Sequence, residues 1–173
     1  VMLLDEPFSS LYAHLRAGVR ETTLRILREA GVATVMVNHD HAEALSCGDR
    51  VSILREGKII QTGSPEAIYH HPCGQEAAET FGVINRLAGQ RSGDRMKTSL
   101  GEVEATAQDP NHPDTVLLRP EQLALVESED GRFRIDRIFP EGSTILYLVR
   151  TAEDERLYVR MLSTETLPAD SPV

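Results

Sequence analysis

The chain has 173 residues, with 18 Lys and Arg against 27 Asp and Glu for a formal charge of −9, and 40% of its residues are hydrophobic. That apolar content excludes a disordered chain. An acidic surface with no basic stripe excludes nucleic acid as a partner. No apolar run approaches the roughly 20 residues needed to span a bilayer, so membrane association has to come through a partner. Cys47 and Cys73 have no metal or redox spacing, and two scattered thiols suit a reducing cytosol.

In chain order, Val1 to Leu4 is a short uniform apolar run of the kind that forms a strand buried on both faces of a parallel sheet. It ends in Asp5 and Glu6, which puts two carboxylates at the sheet edge where open α/β folds bind ligands. Leu11, Leu15, Val19, Ile26, Leu27 and Ala30 then recur at helical spacing. Arg16, Arg20, Arg25, Arg28 and Glu29 fill the opposite side, and Gly31 stops the helix. Ala33 to Val37 reads as a second buried strand leading into Asn38, His39 and Asp40. Strand, helix and strand make a parallel crossover, which brings Glu6 and His39 to one sheet edge.

A short helix is predicted over His41 to Leu45. A hairpin is predicted from Arg50 to Leu54 and Lys58 to Thr62 around Glu56-Gly57. Ser64 caps a helix with Pro65 in its first turn, Pro72 ends it, and Gln75 to Phe81 forms another. Gly89 to Asp94 is polar and contains glycine, which puts a domain boundary there, between 88 and 89. Beyond it the period becomes two. Strands are predicted over Val116 to Arg119, Leu123 to Val126, Arg132 to Phe139, Ser143 to Arg150 and Arg156 to Met161. Their turns fall at Pro120-Glu121-Gln122, Glu141-Gly142 and Ala152 to Glu155, and the pattern suggests a small barrel.

The order Asp5-Glu6-Pro7-Phe8-Ser9-Ser10-Leu11, helix, Val35-Met36-Val37-Asn38-His39-Asp40 resembles the ATP-binding subunit of ABC transporters. The resemblance implies a Walker B strand with Asp5 in the Mg²⁺ shell and Glu6 as the general base for hydrolytic water. It implies a D-loop at Ser9, Ser10 and Leu11 that crosses to a partner subunit. His39 is implied as the switch histidine at the γ-phosphate of ATP, with Asp40 beside it. Tyr12 departs from the pattern, since the family carries Asp at that D-loop position, and this bears on coupling between two nucleotide sites. Leu118-Arg119-Pro120-Glu121-Gln122 resembles the Arg-Pro-Glu element of the TOBE domain, an oligonucleotide-binding-like barrel attached to many import ATPases.

The fold class expected is therefore α/β. Residues 1–88 are expected to be the carboxyl portion of a P-loop ABC ATPase domain with a parallel sheet, and residues 89–173 a small all-β TOBE barrel. No Gly-x-x-x-x-Gly-Lys-Ser/Thr loop and no Leu-Ser-Gly-Gly-Gln segment is present. The expectation is a carboxyl-terminal part of a longer protein that by itself does not bind ATP tightly.

The implied role is an ATPase homodimer at the cytoplasmic face of the membrane. It would energise integral permease subunits, served indirectly by a periplasmic substrate-binding protein. Pro120 to Leu123 and Phe81-Gly82-x-x-Asn85 look most like the ferric-iron branch, with polyamine, phosphonate, thiosulfate or sugar import as alternatives. The rival reading is a degenerate regulatory module, against which Glu6 argues. ABC-like DNA-repair ATPases lack the barrel and fit the acidic surface poorly.

Metal ligation by His39, Asp40 and His41, or by His70, His71 and Cys73, has no strong zinc spacing. Asp136 with Glu141 reads as solvated turn carboxylates. Arg119 with Glu121 reads equally as a structural turn or as a small-oxyanion or dimer contact.

Overall fold

The computed structural model describes residues 1–104, 108–109, 112–128, 131–151 and 154–173. The chain divides into two compact units, Val1–Tyr69 and His70–Val173.

In the first unit, β1 (Met2–Asp5) pairs in parallel with β2 (Thr34–Val37), with Met2 opposite Thr34 and Asp5 opposite Val37, and α1 (Ala13–Glu29) makes the crossover. The helix ends as its glycine requires. Gly31 takes φ +63°, its N–H donates to the Arg28 carbonyl, and the Val32 N–H donates to the Leu27 carbonyl. This is a Schellman termination.

Two expectations are corrected here. β1 and β2 are not buried on both faces. Leu4 and Met36 are half-buried, whereas Leu3 is 76% exposed and Val35 and Val37 are each 56% exposed. A two-stranded sheet covered on one side leaves alternate side chains in water. The helix face matches the expected one only in part: Leu11 and Leu27 are covered and Arg25, Arg28 and Glu29 are exposed, as the spacing predicts. Leu15, Val19 and Ile26 are exposed, while Arg16, Arg20, Thr23, Leu24 and Leu27 form the half-buried to buried side. Arginine stems can cover apolar surface while their guanidinium groups reach polar partners, so a basic residue does not mark the outer face.

α2 (His41–Cys47) follows, then the hairpin β3 (Val51–Arg55) and β4 (Lys58–Gly63). Glu56 and Gly57 both have positive φ, at 49° and 76°, the backbone of a two-residue primed turn. α3 (Pro65–His70) is capped as expected, with Ser64 Oγ accepting from the Ala67 N–H at 3.2 Å, and Ile68 is fully buried.

The second unit begins ahead of the boundary placed by composition. α4 (Gln75–Thr80) buries Ala77 and Ala78, and Ala78 packs with Leu117 and Ile84. An antiparallel sheet follows in the order β7-β6-β5-β9-β8, built from β5 (Asn85–Ser92), β6 (Arg95–Thr98), β7 (Gly101–Glu104), β8 (Gln108–Asp109) and β9 (His112–Leu118). The polar Gly89 to Ser92 stretch, read from sequence as a boundary, is the half of β5 that pairs with β6. A Cβ on Gly89 would lie 2.7 Å from the Lys97 carbonyl oxygen, so glycine there reflects close backbone approach.

A meander of β10 (Arg134–Pro140), β11 (Thr144–Arg150) and β12 (Arg156–Leu162) completes the unit. Of the turn assigned to Ala152 to Glu155, Ala152 and Glu153 lie outside the described residues. Leu123 to Val126 is not a strand. Its alternation is real, since Leu123 and Leu125 pack against the core and Val126 is exposed, but the segment joins no ladder. Among the described residues the sheets are open and no barrel closes, so the architecture is mixed α/β with small sheets.

The second unit's core is apolar and continuous. Ile135, Ile145, Tyr147, Val149 and Val159 form one cluster, and Leu87, Met96, Val116, Leu118 and Leu157 another, with Leu123 touching both. Asn85 joins the sheets: its Nδ2 donates to the Tyr158 carbonyl and its Oδ1 accepts from the Tyr158 N–H, each at 2.7 Å. Among the described residues, no helix is long and apolar enough to cross a membrane.

Candidate functional site

The site lies at the carboxyl ends of β1 and β2. The parallel ladder is extended one step past Asp5 by the Glu6 N–H donating to the Val37 carbonyl at 2.8 Å. Glu6 then turns into the left-handed region at φ +44°, a conformation that costs a non-glycine residue on the order of 1–3 kcal/mol and is concentrated at functional sites. With that turn the carboxylate meets the residue leaving β2: His39 Nδ1 lies 2.9 Å from Glu6 Oε1. The histidine side chain is 67% exposed and the glutamate 43%, so the pair is open to solvent and to ligand. Two residues 33 positions apart, singled out from sequence as acting together, are thus in direct contact.

The loop after Glu6 is held locally. Phe8 is buried and anchors it, the Ser9 Oγ–H donates to the Glu6 carbonyl at 3.0 Å, and the Leu11 N–H donates to the Phe8 carbonyl at 3.2 Å. Ser10 is exposed and Leu11 is half-buried. Tyr12 stands at the N-terminal boundary of α1 without making a side-chain cap, is exposed, and stacks on His14 with ring centroids 5.9 Å apart. Asp40 has a structural task beside the site, since its Oδ1 accepts the Glu43 N–H at 3.1 Å and caps α2.

Arg16 was read from sequence as one of several cations on the outer side of α1. Instead its Nη2 donates to the Leu11 carbonyl at 3.4 Å and its Nη1 lies 3.6 Å from Asp40 Oδ2. Its position one turn after Tyr12 was the available signal, because a long side chain on the first turn of a helix can reach back to the preceding loop.

Asp5 ends β1 opposite Val37 and is exposed. Among the described residues no group of three His, Cys, Asp or Glu side chains converges to make a closed metal cage. The donor set fits a hard cation that takes one or two carboxylates and draws its remaining ligands from water and phosphate oxygens, which is the habit of Mg²⁺. It does not fit structural zinc.

Elsewhere, Arg119 is buried and its Nη1 donates to the Ala78 carbonyl at 2.9 Å, while its N–H donates to Gln122 Oε1. It pins α4 to the end of β9, which favours the structural reading of that turn. Asp136 and Glu141 pair with Arg150 and Arg160 respectively, each at 2.8 Å.

No family model matches the chain. At 36–42% identity, over three quarters to all of its length, the chain is similar to proteins named as Fe(3+) ions import ATP-binding proteins. In particular, it is similar to the Fe(3+) ions import ATP-binding protein FbpC of Pseudomonas fluorescens Pf-5, at 42% identity over 131 residues covering 76% of this chain and 37% of that protein. FbpC 1 of Rhodococcus jostii is 37% identical over 98% of this chain and 51% of its own length. FbpC of Pseudomonas fluorescens Pf0-1 is 37% identical over 100% and 52%. The chain thus spans between about a third and a half of the length of these relatives.

Proposed function

We propose that the chain acts as part of the ATP-hydrolysing subunit of an ABC importer that carries ferric ions. The single observation that carries the reading is the 2.9 Å contact of His39 Nδ1 with Glu6 Oε1 at the shared edge of a parallel strand pair. The similarity to Fe(3+) ions import ATP-binding proteins supports the nucleotide and the cargo.

In this reading Glu6 is the general base. With Oε1 engaged by His39, Oε2 is the oxygen turned to a water, from which it takes a proton as that water attacks the γ-phosphate of ATP. His39 holds the Glu6 carboxylate in place and contacts the γ-phosphate, so that the histidine reports its presence to the site. Asp5 holds Mg²⁺, which when bound neutralises phosphate charge. Ser9, Ser10 and Leu11 form the D-loop, which faces a second copy of the subunit, and Asp40 fixes the segment that carries His39.

Residues 1–88 are read as the nucleotide-binding portion and residues 89–173 as a TOBE-type β domain. The Leu118 to Gln122 segment and the antiparallel sheets of the second unit support the TOBE-type reading, although that unit itself begins at His70 and β5 runs through the 88/89 boundary. The partners are a second ATPase subunit, integral permease subunits and, indirectly, a periplasmic substrate-binding protein. The site of action is the cytoplasmic face of the membrane, as a peripheral protein.

The test grafts residues 1–173 onto the amino-terminal part of a ferric-ion import ATP-binding protein. Glu6→Gln in that chimera is expected to lower ATP turnover by about a thousandfold, within the range for loss of a general base, while ATP binding persists. Turnover retained by the variant removes Glu6 as the base and the reading with it.

A further inference from the structure

We infer that Arg16 is a positioning residue that bolts the loop carrying Glu6 to the loop carrying His39. The backbone ladder between β1 and β2 ends at the Glu6 N–H donating to the Val37 carbonyl. Past that point the two loops meet through side chains, His39 on Glu6 and Arg16 on Asp40. The guanidinium spans them. Nη2 donates to the carbonyl of Leu11 at 3.4 Å, in the loop that Glu6 opens, and Nη1 is 3.6 Å from Oδ2 of Asp40, the neighbour of His39. Asp40 is held from both sides, because its Oδ1 accepts the Glu43 N–H and fixes the start of α2. The backbone of His39 therefore sits between an anchored strand end and an anchored cap.

Stability does not account for this arginine. Its ion pair with Asp40 joins side chains that are 32% and 39% exposed, and such pairs add little. Its Nε is buried without a hydrogen-bond partner, which subtracts from stability. What the guanidinium supplies is a planar fork that reaches a carbonyl on one loop and a carboxylate on the other; an ammonium group is a single point of charge and cannot hold both in one geometry. The inference rests on the proposed catalytic roles of Glu6 and His39. It adds that their 2.9 Å contact depends on a residue that touches neither of them.

The first experiment reads the geometry in the chain itself, as the ring nitrogen signals of His39 in histidine-labelled protein. A carboxylate accepts from Nδ1 only when that nitrogen carries the proton, so the contact has a tautomer signature. In Arg16→Met the signature is expected to move toward that of Glu6→Ala, in which the acceptor is gone. Arg16→Lys is expected to fall between Arg16→Met and the unaltered chain. Arg25→Met, which breaks an ion pair with Glu29 on the same helix, is expected to leave the signal unchanged. Asp40→Asn keeps a capping side chain but removes the charge facing Arg16. It is expected to reproduce the Arg16→Met shift, and it serves if Arg16→Met disturbs folding. An unchanged His39 signal in either variant overturns the inference.

The second experiment uses the chimera. Arg16→Met is expected to lower kcat by about ten- to a hundredfold, the size of effect that misplacing a catalytic group produces, with KM for ATP unchanged. Full kcat in Arg16→Met beside a dead Glu6→Gln overturns the positioning role alone. Turnover in Glu6→Gln overturns the catalytic reading, whatever Arg16→Met does.

Discussion

Tyr147 on β11 is fully buried, whereas Leu3 on β1 is 76% exposed, although each is an apolar residue within a strand. The difference runs through both units. In the second, Tyr147 packs with Ile135, Ile145, Val149 and Val159, and its hydroxyl donates to the Glu165 carbonyl at 3.4 Å and accepts the Leu167 N–H at 3.0 Å. In the first, Val35, Val37, Leu15, Val19 and Ile26 are exposed, and local cover comes from Phe8, Leu27, Val51, Ile53 and Ile68. The first unit places a site and the second builds a core. Placing Glu6 against His39 needs a register and a crossover, both supplied by local chain geometry; it does not need the strands to be covered on both faces.

Hydrogen exchange gives the largest expected contrast. Exchange rates follow the free energy of local opening, which runs from near zero for poorly covered backbone up to the global value in a core. Amides of Leu3, Leu4 and Met36 are expected to exchange at least about a hundredfold faster than those of Tyr147 and Val149. Similar rates in the two sets would break the comparison. Asn85→Ala is the next largest. A strand residue's N–H and C=O point to the same side, and both groups of Tyr158 go to the Asn85 side chain. Removing that side chain strands two polar groups in a region where Asn85 itself is 2% exposed. At about 1–3 kcal/mol for each of the two unsatisfied groups, denaturant unfolding of the second unit should show a loss of about 2–6 kcal/mol. A loss below about 1 kcal/mol would mean that water replaces the amide, and that the junction between the sheets is wetter than its burial suggests.

Legibility in the sequence follows the same divide, with the strengths reversed. The parallel pair, the crossover helix, its stop at Gly31, the Glu56-Gly57 turn and the Glu6–His39 meeting were all readable, because each depends on residues near in sequence or on a known order of short motifs. The exposure of Leu3 and Val35 was not readable, since apolar composition reports what a strand can bury and not what covers it. Arg16 escapes the charge pattern, because a guanidinium on the first turn of a helix reaches back to the preceding loop and across to Asp40. β5 through β7 were missed because Gly89 to Ser92 is polar, and its strand state comes from pairing with β6, which periodicity does not encode. Leu123 to Val126 failed the other way, having the alternation of a strand but no partner. Asn85 stands out only as part of Phe81-Gly82-x-x-Asn85, and nothing local marks its role at the sheet junction, for its partner Tyr158 lies 73 residues away.

The smallest effect sharpens what burial contributes within the second unit. Glu141 and Arg160 form a bidentate pair, with Nε at 2.8 Å from Oε2 and Nη2 at 3.4 Å from Oε1, and Arg160 Nη1 also reaches Glu121 Oε2 at 3.0 Å. The hydrogen bond from Arg160 holds the Glu141 carboxyl below its ordinary value, outweighing the partial burial that pushes it up. A carboxylate with a depressed folded pKa contributes stability that is fully present above its unfolded pKa, about 4.3, and that is lost as pH falls through the lower, folded value. Both side chains remain open to solvent, at 36% and 26%, so the contribution at neutral pH should be below about 1 kcal/mol. Glu141→Gln is therefore expected to cost little at pH 7 and to flatten the acid limb of the stability curve below about pH 4.3. Measuring unfolding free energy against pH for both proteins checks this. If the limb keeps its slope in Glu141→Gln, the acid sensitivity of the unit lies with its other carboxylates. If the variant instead costs as much as Asn85→Ala, exposure is a poor guide to where this unit stores its stability, and the contrast between its core and its surface has to be redrawn around Arg160.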